Sequence, residues 1–406
     1  MSQPAPVAAP DAAFVDTPAL LTRWHLVAVA TVIAFGLVSG VLQILSWQSD
    51  GRAAAETQQL VRVQGIKSSL LRADALATTG YLTAGLEPTA KKQEYADTVN
   101  GALAEIADAA EAQPADRAAL AALNQQVETY TTDVAQAEVY NRQGLPLGIA
   151  YQTAASTQLR DDAIPIVDAL VKANAQRSQE AMGGQHPWWL LLVGILAIGV
   201  LVLVNQQMAR AFRRRINGGL LVAAAIVALT TLVTAIAAFA HAHGNNQTED
   251  GAYREAVAAA TARTAADSAK ADESLRLINR GSGQSYETDW SRQSKQVDAN
   301  APSADLAGWR TYVERHRQVV ALDEDNRWRQ AVVLATTGDA SGSTAPLDRF
   351  DQRMQGDVRS AAQKATGDLS SGRTLELLLG ILTVLLGVVA AVMVSSGIAA
   401  RRKEFL

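Results

Sequence analysis

The sequence predicts an all-α membrane protein: four transmembrane helices that carry two extracytoplasmic antiparallel four-helix bundles, in a tandem span–bundle–span arrangement. Three observations predict it. Apolar residues make up 49% of the 406 residues, but they concentrate in four long runs rather than spreading through the chain. The polar stretches between the runs are rich in Ala and Gln, with apolar residues recurring at spacings of three and four. Strand-favouring runs of Val, Ile, Thr and Tyr are scarce outside the apolar segments.

The first 23 residues, with Pro4, Pro6, Pro10 and Pro18, read as a disordered cytoplasmic tail. A bilayer core of ~30 Å needs about 20 apolar helical residues. The first span, 24–47, has a Trp at each end and reads as a retained helix rather than a cleaved signal peptide. The second span is 188–206, the third 216–240 and the fourth 375–400. Gly36 and Gly40 form a GxxxG pair, and span three offers Gly218, Gly219, Thr230, Thr231 and Thr234, so close helix packing in lipid is expected.

Lys and Arg in the short flanks orient the spans. Arg213, Arg214 and Arg215 lie in the 207–215 turn between spans two and three. Arg401, Arg402 and Lys403 follow span four in the 401–406 tail, and Arg23 precedes span one. Alternation puts all of them on one side, expected to be cytoplasmic, and leaves 48–187 and 241–374 outside.

Segment 48–187 reads as four helices. The first runs from about Ser49 to Thr83 with Leu60, Val63, Ile66 and Leu70 on one face. The second starts near Thr89, the third near Pro114, and the fourth carries Leu159, Ala163, Ile166 and Leu170. Breakers at Gly85 and Pro88, at Pro114, and at Gly144 and Pro146 separate them, and Pro165 is expected to kink the fourth. Segment 241–374 repeats the plan more loosely. Tyr253 and Val257 open its first helix, and breaks follow at Gly281 and Gly283, at Pro302, and between Gly338 and Pro346.

Catalysis is not expected. The chain has no cysteine, which removes disulfides, thiolate metal sites and cysteine nucleophiles, and no phosphate-binding or hydrolase motif occurs. No cofactor is expected. A net charge of -4 makes no case for nucleic acid. His186, His241 and His243 at span ends could ligate a metal, but ordinary residues at a water boundary are the favoured reading and no metal site is expected. The acidic run Asp323, Glu324, Asp325 and the pair Asp161, Asp162 read as solvated helix faces. The best docking candidates sit at the tip of the first bundle: Tyr81, Leu82 and Leu86 in one turn, with Leu145 and Leu147 beside them. Capping of the bundle core is an equal reading of the same residues.

Two resemblances follow from quoted residues. The stretch ADALATTGYLTAGLEP at 73–88 resembles the four-helix-bundle sensor domains of chemoreceptors and histidine kinases, although no methyl-accepting or kinase module follows. Four spans, two outer bundles, an Arg-rich inner turn and GLPLGIAYQTAASTQLRDDAIPIVDAL at 144–170 resemble the actinobacterial GlnX family. That resemblance implies a signal relay between an extracytoplasmic glutamate/aspartate-binding lipoprotein and a cytosolic serine/threonine protein kinase. A direct small-molecule sensor and a non-switching envelope scaffold stand as alternatives. Membrane lipid is an expected partner, and homo-oligomerisation stays open.

Overall fold

The computed structural model describes residues 17–83, 89–212, 217–280 and 283–402. Among them the chain is helical and contains no strand. It divides into two compact units. One comprises Met1–Ser49, Gly184–His243 and Gly372–Leu406, and the other Asp50–Gly183 and Gly244–Ser371.

The first unit holds the apolar segments. Helix α1 (Thr17–Leu82) starts within the expected tail, with Pro18 in its first turn, where a missing N–H costs nothing. Helices α6 (Pro187–Phe212), α7 (Gly218–Thr248) and α13 (Arg373–Arg402) supply the other apolar segments. These four helices are long and apolar enough to cross a bilayer, so the chain is a multi-pass membrane protein. Their inward faces share one core, with Val32 and Phe35 from α1, Leu201 and Val204 from α6, Val227 from α7 and Val394 from α13. Leu26, Ile195, Leu229 and Leu385 project away from it, as lipid-facing side chains do.

Small residues set the helix spacing. A Cβ at Gly36 would lie 3.0 Å from the Cα of Gly387, and one at Gly219 would lie 2.6 Å from the Cα of Gly397. Gly40 faces Val384 in the same way, whereas Gly218 faces open space. Polar ties cross the apolar core as well: Gln43 Nε2 donates to Thr383 Oγ1 at 3.0 Å.

The polar unit takes helices from both long inter-span segments. From residues 50–183 come the second half of α1, α2 (Thr89–Ala112), α3 (Arg117–Arg142), α4 (Leu147–Gln158) and α5 (Ile164–Met182). Val63, Ile66, Leu70, Leu120, Leu123, Tyr130, Leu159 and Val167 form their shared core, on the three-and-four spacing of the sequence. Near Pro165, where the sequence predicts a kink, the helix has a π-helical turn, Leu159–Ala163, ending two residues before the proline. Proline lacks the N–H that an α-turn would use, and the extra residue absorbs the mismatch.

From residues 244–371 come α8 (Arg254–Ile278), α9 (Gly283–Asn300), α10 (Leu306–Glu324), α11 (Trp328–Thr336) and α12 (Thr344–Ser370). A second π-helical turn, Glu249–Tyr253, precedes α8. The short α11 is an addition to the four helices expected here, made by the reversal at Asn326, whose φ is 59°. Trp309, Tyr312, Phe350 and Met354 centre this half's core.

The halves are joined by shared clusters. Leu60 and Met182 pack with Tyr253 and Leu369, and Leu82 packs with Leu275, Ile278 and Val319.

Candidate functional site

Helix α8 is the unusual element of the polar unit. From Thr264 to Ile278 every side chain is buried, including Asp267, Lys270, Asp272, Glu273 and Arg276. The stretch of α1 around Arg72 and Asp74 is buried too. The two helices meet through small residues, with Thr79 Oγ1 and Ser274 Oγ 3.1 Å apart. Buried charges require partners, and those of Asp267, Asp272 and Arg72 include groups of the opposite half.

Arg160, on the π-helical turn, is the clearest case. It pairs with Asp272 of α8 and lies 3.4 Å from Asp74 of α1, both carboxylates being fully buried. Ser156 Oγ donates to Asp74 at 2.5 Å. Burial pushes the Asp272 carboxyl up to about 6, even with the Arg160 guanidinium pulling it back, and burial raises Asp74 in the same way. Arg72 makes the second bridge, to Glu94 at 2.6 Å and to Asp348 of α12 at 2.5 Å, with Asp267 at 3.8 Å. Neither oxygen of Asp267 accepts a hydrogen bond, and burial, reinforced by Asp351, raises its carboxyl well above the usual range.

A third cluster lies inside the second half. Lys270 Nζ donates to Glu273 at 2.6 Å and to the Ala335 carbonyl, and His316 Nδ1 lies 2.9 Å from the other Glu273 oxygen. His316 reaches Glu287 at 3.3 Å and stacks on Trp290 with centroids 3.8 Å apart. Burial alone would raise Glu273, but Lys270 and His316 outweigh it and hold the carboxyl down at about 2. Burial alone would lower His316, and the two carboxylates reverse that, leaving it raised.

These groups hold charge in place. The Arg160 and Arg72 pairs fasten the two halves, and in the third cluster Ser343 Oγ also donates to Glu273 at 2.9 Å. The sequence reading missed them because α8 has charged residues where a core helix would show apolar ones. The signal present was the Ala- and Ser-rich run ARTAADSAKADES, which leaves room for neighbours on every side. In the acidic run Glu324 and Asp325 are exposed, as expected, and Asp323 and Glu324 receive Arg276 at 3.2 and 3.3 Å. Asp161 and Asp162 are exposed, as expected.

The docking candidates separate. Leu82 is mostly buried in the cluster shared with α8 and keeps 8% of its surface exposed. Tyr81 and Leu82, with Leu145, line a surface pocket of 560 Å³ completed by Asn279, Arg280 and Trp328 of the second half. The Arg280 guanidinium sits 3.8 Å above the Trp328 ring. Leu147 is exposed at 49% and stands outside that pocket. Leu86 and Arg213, Arg214 and Arg215 lie outside the described residues, as do the side chains of Arg401 and Arg402.

Behind Tyr81 is a smaller and more enclosed cavity of 160 Å³ within the first half. Leu76, Ala77 and Val134 make its apolar wall, and Lys92, Tyr95, Glu138, Asn141 and Gln152 its polar one. Asn141 Nδ2 donates to the Tyr81 carbonyl at 2.6 Å and ties α3 to the end of α1.

No curated protein and no solved structure matches the chain. Residues 49–183, the half that holds this cavity, match the family model of the actinobacterial sensor domain.

Proposed function

We propose that the chain is a transmembrane signal relay: the polar unit senses outside the cell, and the four apolar helices carry the response to the cytoplasmic face. The observation that carries this reading is the sensor-domain match over residues 49–183 in a chain with four membrane-spanning helices. Helix α1 contains both the first apolar segment and the start of the matched segment. A relay needs two states that a ligand or partner binds unequally. Halves joined by buried ion pairs suit that requirement, because such pairs are all-or-none contacts.

In this reading the two long segments form bundles on the extracytoplasmic side, and the arginines at 213–215 and 401–402 face the cytosol, following the positive-inside bias. The proposed partners are a glutamate/aspartate-binding lipoprotein outside and a serine/threonine kinase inside. They are suggested by the likeness of the 144–170 stretch and the four-span plan to the GlnX family.

The absence of cysteine makes the orientation directly testable. Ser303 is exposed, and a Ser303→Cys chain should react with a membrane-impermeant maleimide in intact cells, whereas a cysteine added after Leu406 should not. The reverse labelling overturns the orientation. For the partners, the full chain should co-purify with such a lipoprotein and kinase, in amounts that change with acidic amino-acid supply. Recovery of neither under any supply removes the relay between them. A direct small-molecule sensor is the second reading, favoured by the cavity behind Tyr81.

A further inference from the structure

We infer that the 160 Å³ cavity in the first half of the polar unit is a binding site for a small polar molecule of zero net charge that presents a carbonyl or carboxylate oxygen to the side-chain amide of Gln152. The assignment rests on the sensor reading and deepens it.

Three observations carry it. The first is size. An apolar cavity of similar volume accepts benzene, so this one has room for roughly six to eight non-hydrogen atoms.

The second is an unsatisfied donor. Gln152 is 1% exposed, and its Nε2 has no hydrogen-bond partner in the protein. A buried amide without a partner is destabilising, and here it borders open volume on α4, beside the π-helical turn that carries Arg160. A leucine would fit the same helix position without leaving a donor unpaired.

The third is charge. The charged groups on the wall, Lys92 and Glu138, are paired at 2.6 Å and neutralise one another. With both side chains part-exposed, at 40% and 45%, the wall still offers a lone anion or cation no uncompensated counter-charge. A neutral amide, or a zwitterion that takes Lys92 with one end and Glu138 with the other, meets no such obstacle.

The entrance is also visible. Tyr81 and Asn141 line both this cavity and the 560 Å³ surface pocket, so Tyr81 partitions the two. Its ring can close because residue 148 is glycine: a Cβ there would lie 2.8 Å from the Tyr81 hydroxyl. Asn279, Arg280 and Trp328 of the second half line the far side of that partition. A ligand that moves Tyr81 therefore acts on the contact between the halves.

The test is thermal unfolding of the full chain in detergent with four probes: L-serine (zwitterion), acetamide (neutral), acetate (anion) and ethylammonium (cation). L-serine or acetamide at about five times its Kd should raise the Tm by about 2–4 °C, and the singly charged probes should not. Gln152→Leu should keep or raise the Tm of the unliganded chain and abolish the ligand shift. Ala77→Leu fills the void and should abolish the shift as well, which keeps the test open if one variant fails to fold. The site is overturned if neither uncharged probe moves the wild-type Tm, if acetate or ethylammonium does so equally, or if the shift survives in the variants. The sensor reading is read separately, from disulfide trapping of a Gln43→Cys, Thr383→Cys pair in the membrane unit. Binding without any change in trapping leaves the site standing and removes the relay.

Discussion

Replacing Arg160 by Met tests the central physical claim, that buried charge pairs fasten the two halves of the polar unit. Arg160 is the cation shared by Asp74 and Asp272, both with no exposed side-chain surface. Met keeps most of the volume and removes the charge. Two carboxylates would then lie buried without a counter-ion, and breaking such a pair costs about 3–5 kcal/mol. At roughly 2–4 °C per kcal/mol for a unit of this size, the Tm at pH 8 should fall by roughly 6–20 °C. The deficit should shrink on acidification. Asp272 is already pushed up to about 6 with the arginine present, and loss of the arginine raises both carboxyls further. A folded state that holds protons the unfolded state has released is favoured as pH falls, so at pH 5 the variant should approach the wild type. Circular-dichroism melts of the full chain at pH 5 and pH 8 read both effects. A variant that melts within about 1 °C of wild type at pH 8 refutes the claim, and so does a deficit that is the same at both pH values. Adding Asp74→Leu and Asp272→Leu to Arg160→Met should recover stability at pH 8, since apolar replacements remove the unpaired charges.

Asp267→Asn should raise the Tm at pH 9 and change it little at pH 5, because burial already favours the neutral form of that carboxyl; equal melting curves at pH 9 would count against it. His316 is raised above its usual value, so its contribution is fully present below about pH 6.5 and is lost as pH rises through the folded value. Melts from pH 5 to pH 9 should show that loss in the wild type and less of it in His316→Gln. The Glu273 contribution runs the other way, present above about pH 4.5 and lost as pH falls toward its folded value near 2. In the membrane unit, Gly219→Val should destabilise strongly because its Cβ would meet backbone at Gly397, while Gly218→Val should be mild, since nothing lies within 4 Å. Detergent melts that rank the two equally would argue against that crossing.

What could be read without coordinates is set by local rules. The apolar runs gave all four spanning helices, because length and hydropathy alone decide whether a helix can sit in lipid. The core residues of the first segment followed from spacing: Leu120, Leu123, Val127 and Tyr130 are all buried as their three-and-four repeat requires. Pro165 marked the disturbed turn to within a few residues. Tyr81, Leu82 and Leu145 line one pocket, while Leu147 lies outside it and Leu86 outside the described residues.

The sequence by itself thus determined which segments belong in lipid and which face of the first-segment helices is apolar, but not the short α11. Only the tertiary structure decided that α8, polar by composition, is buried on every side, and that Leu82 is mostly buried in a contact with it. The same holds for the pairing of Arg72 and Arg160 with acids more than a hundred residues away. The physical reason is that a helix's own pattern records the neighbour it needs only when that neighbour is apolar. A charge satisfied by a distant opposite charge leaves no periodicity, and its burial is known only once both helices are in place.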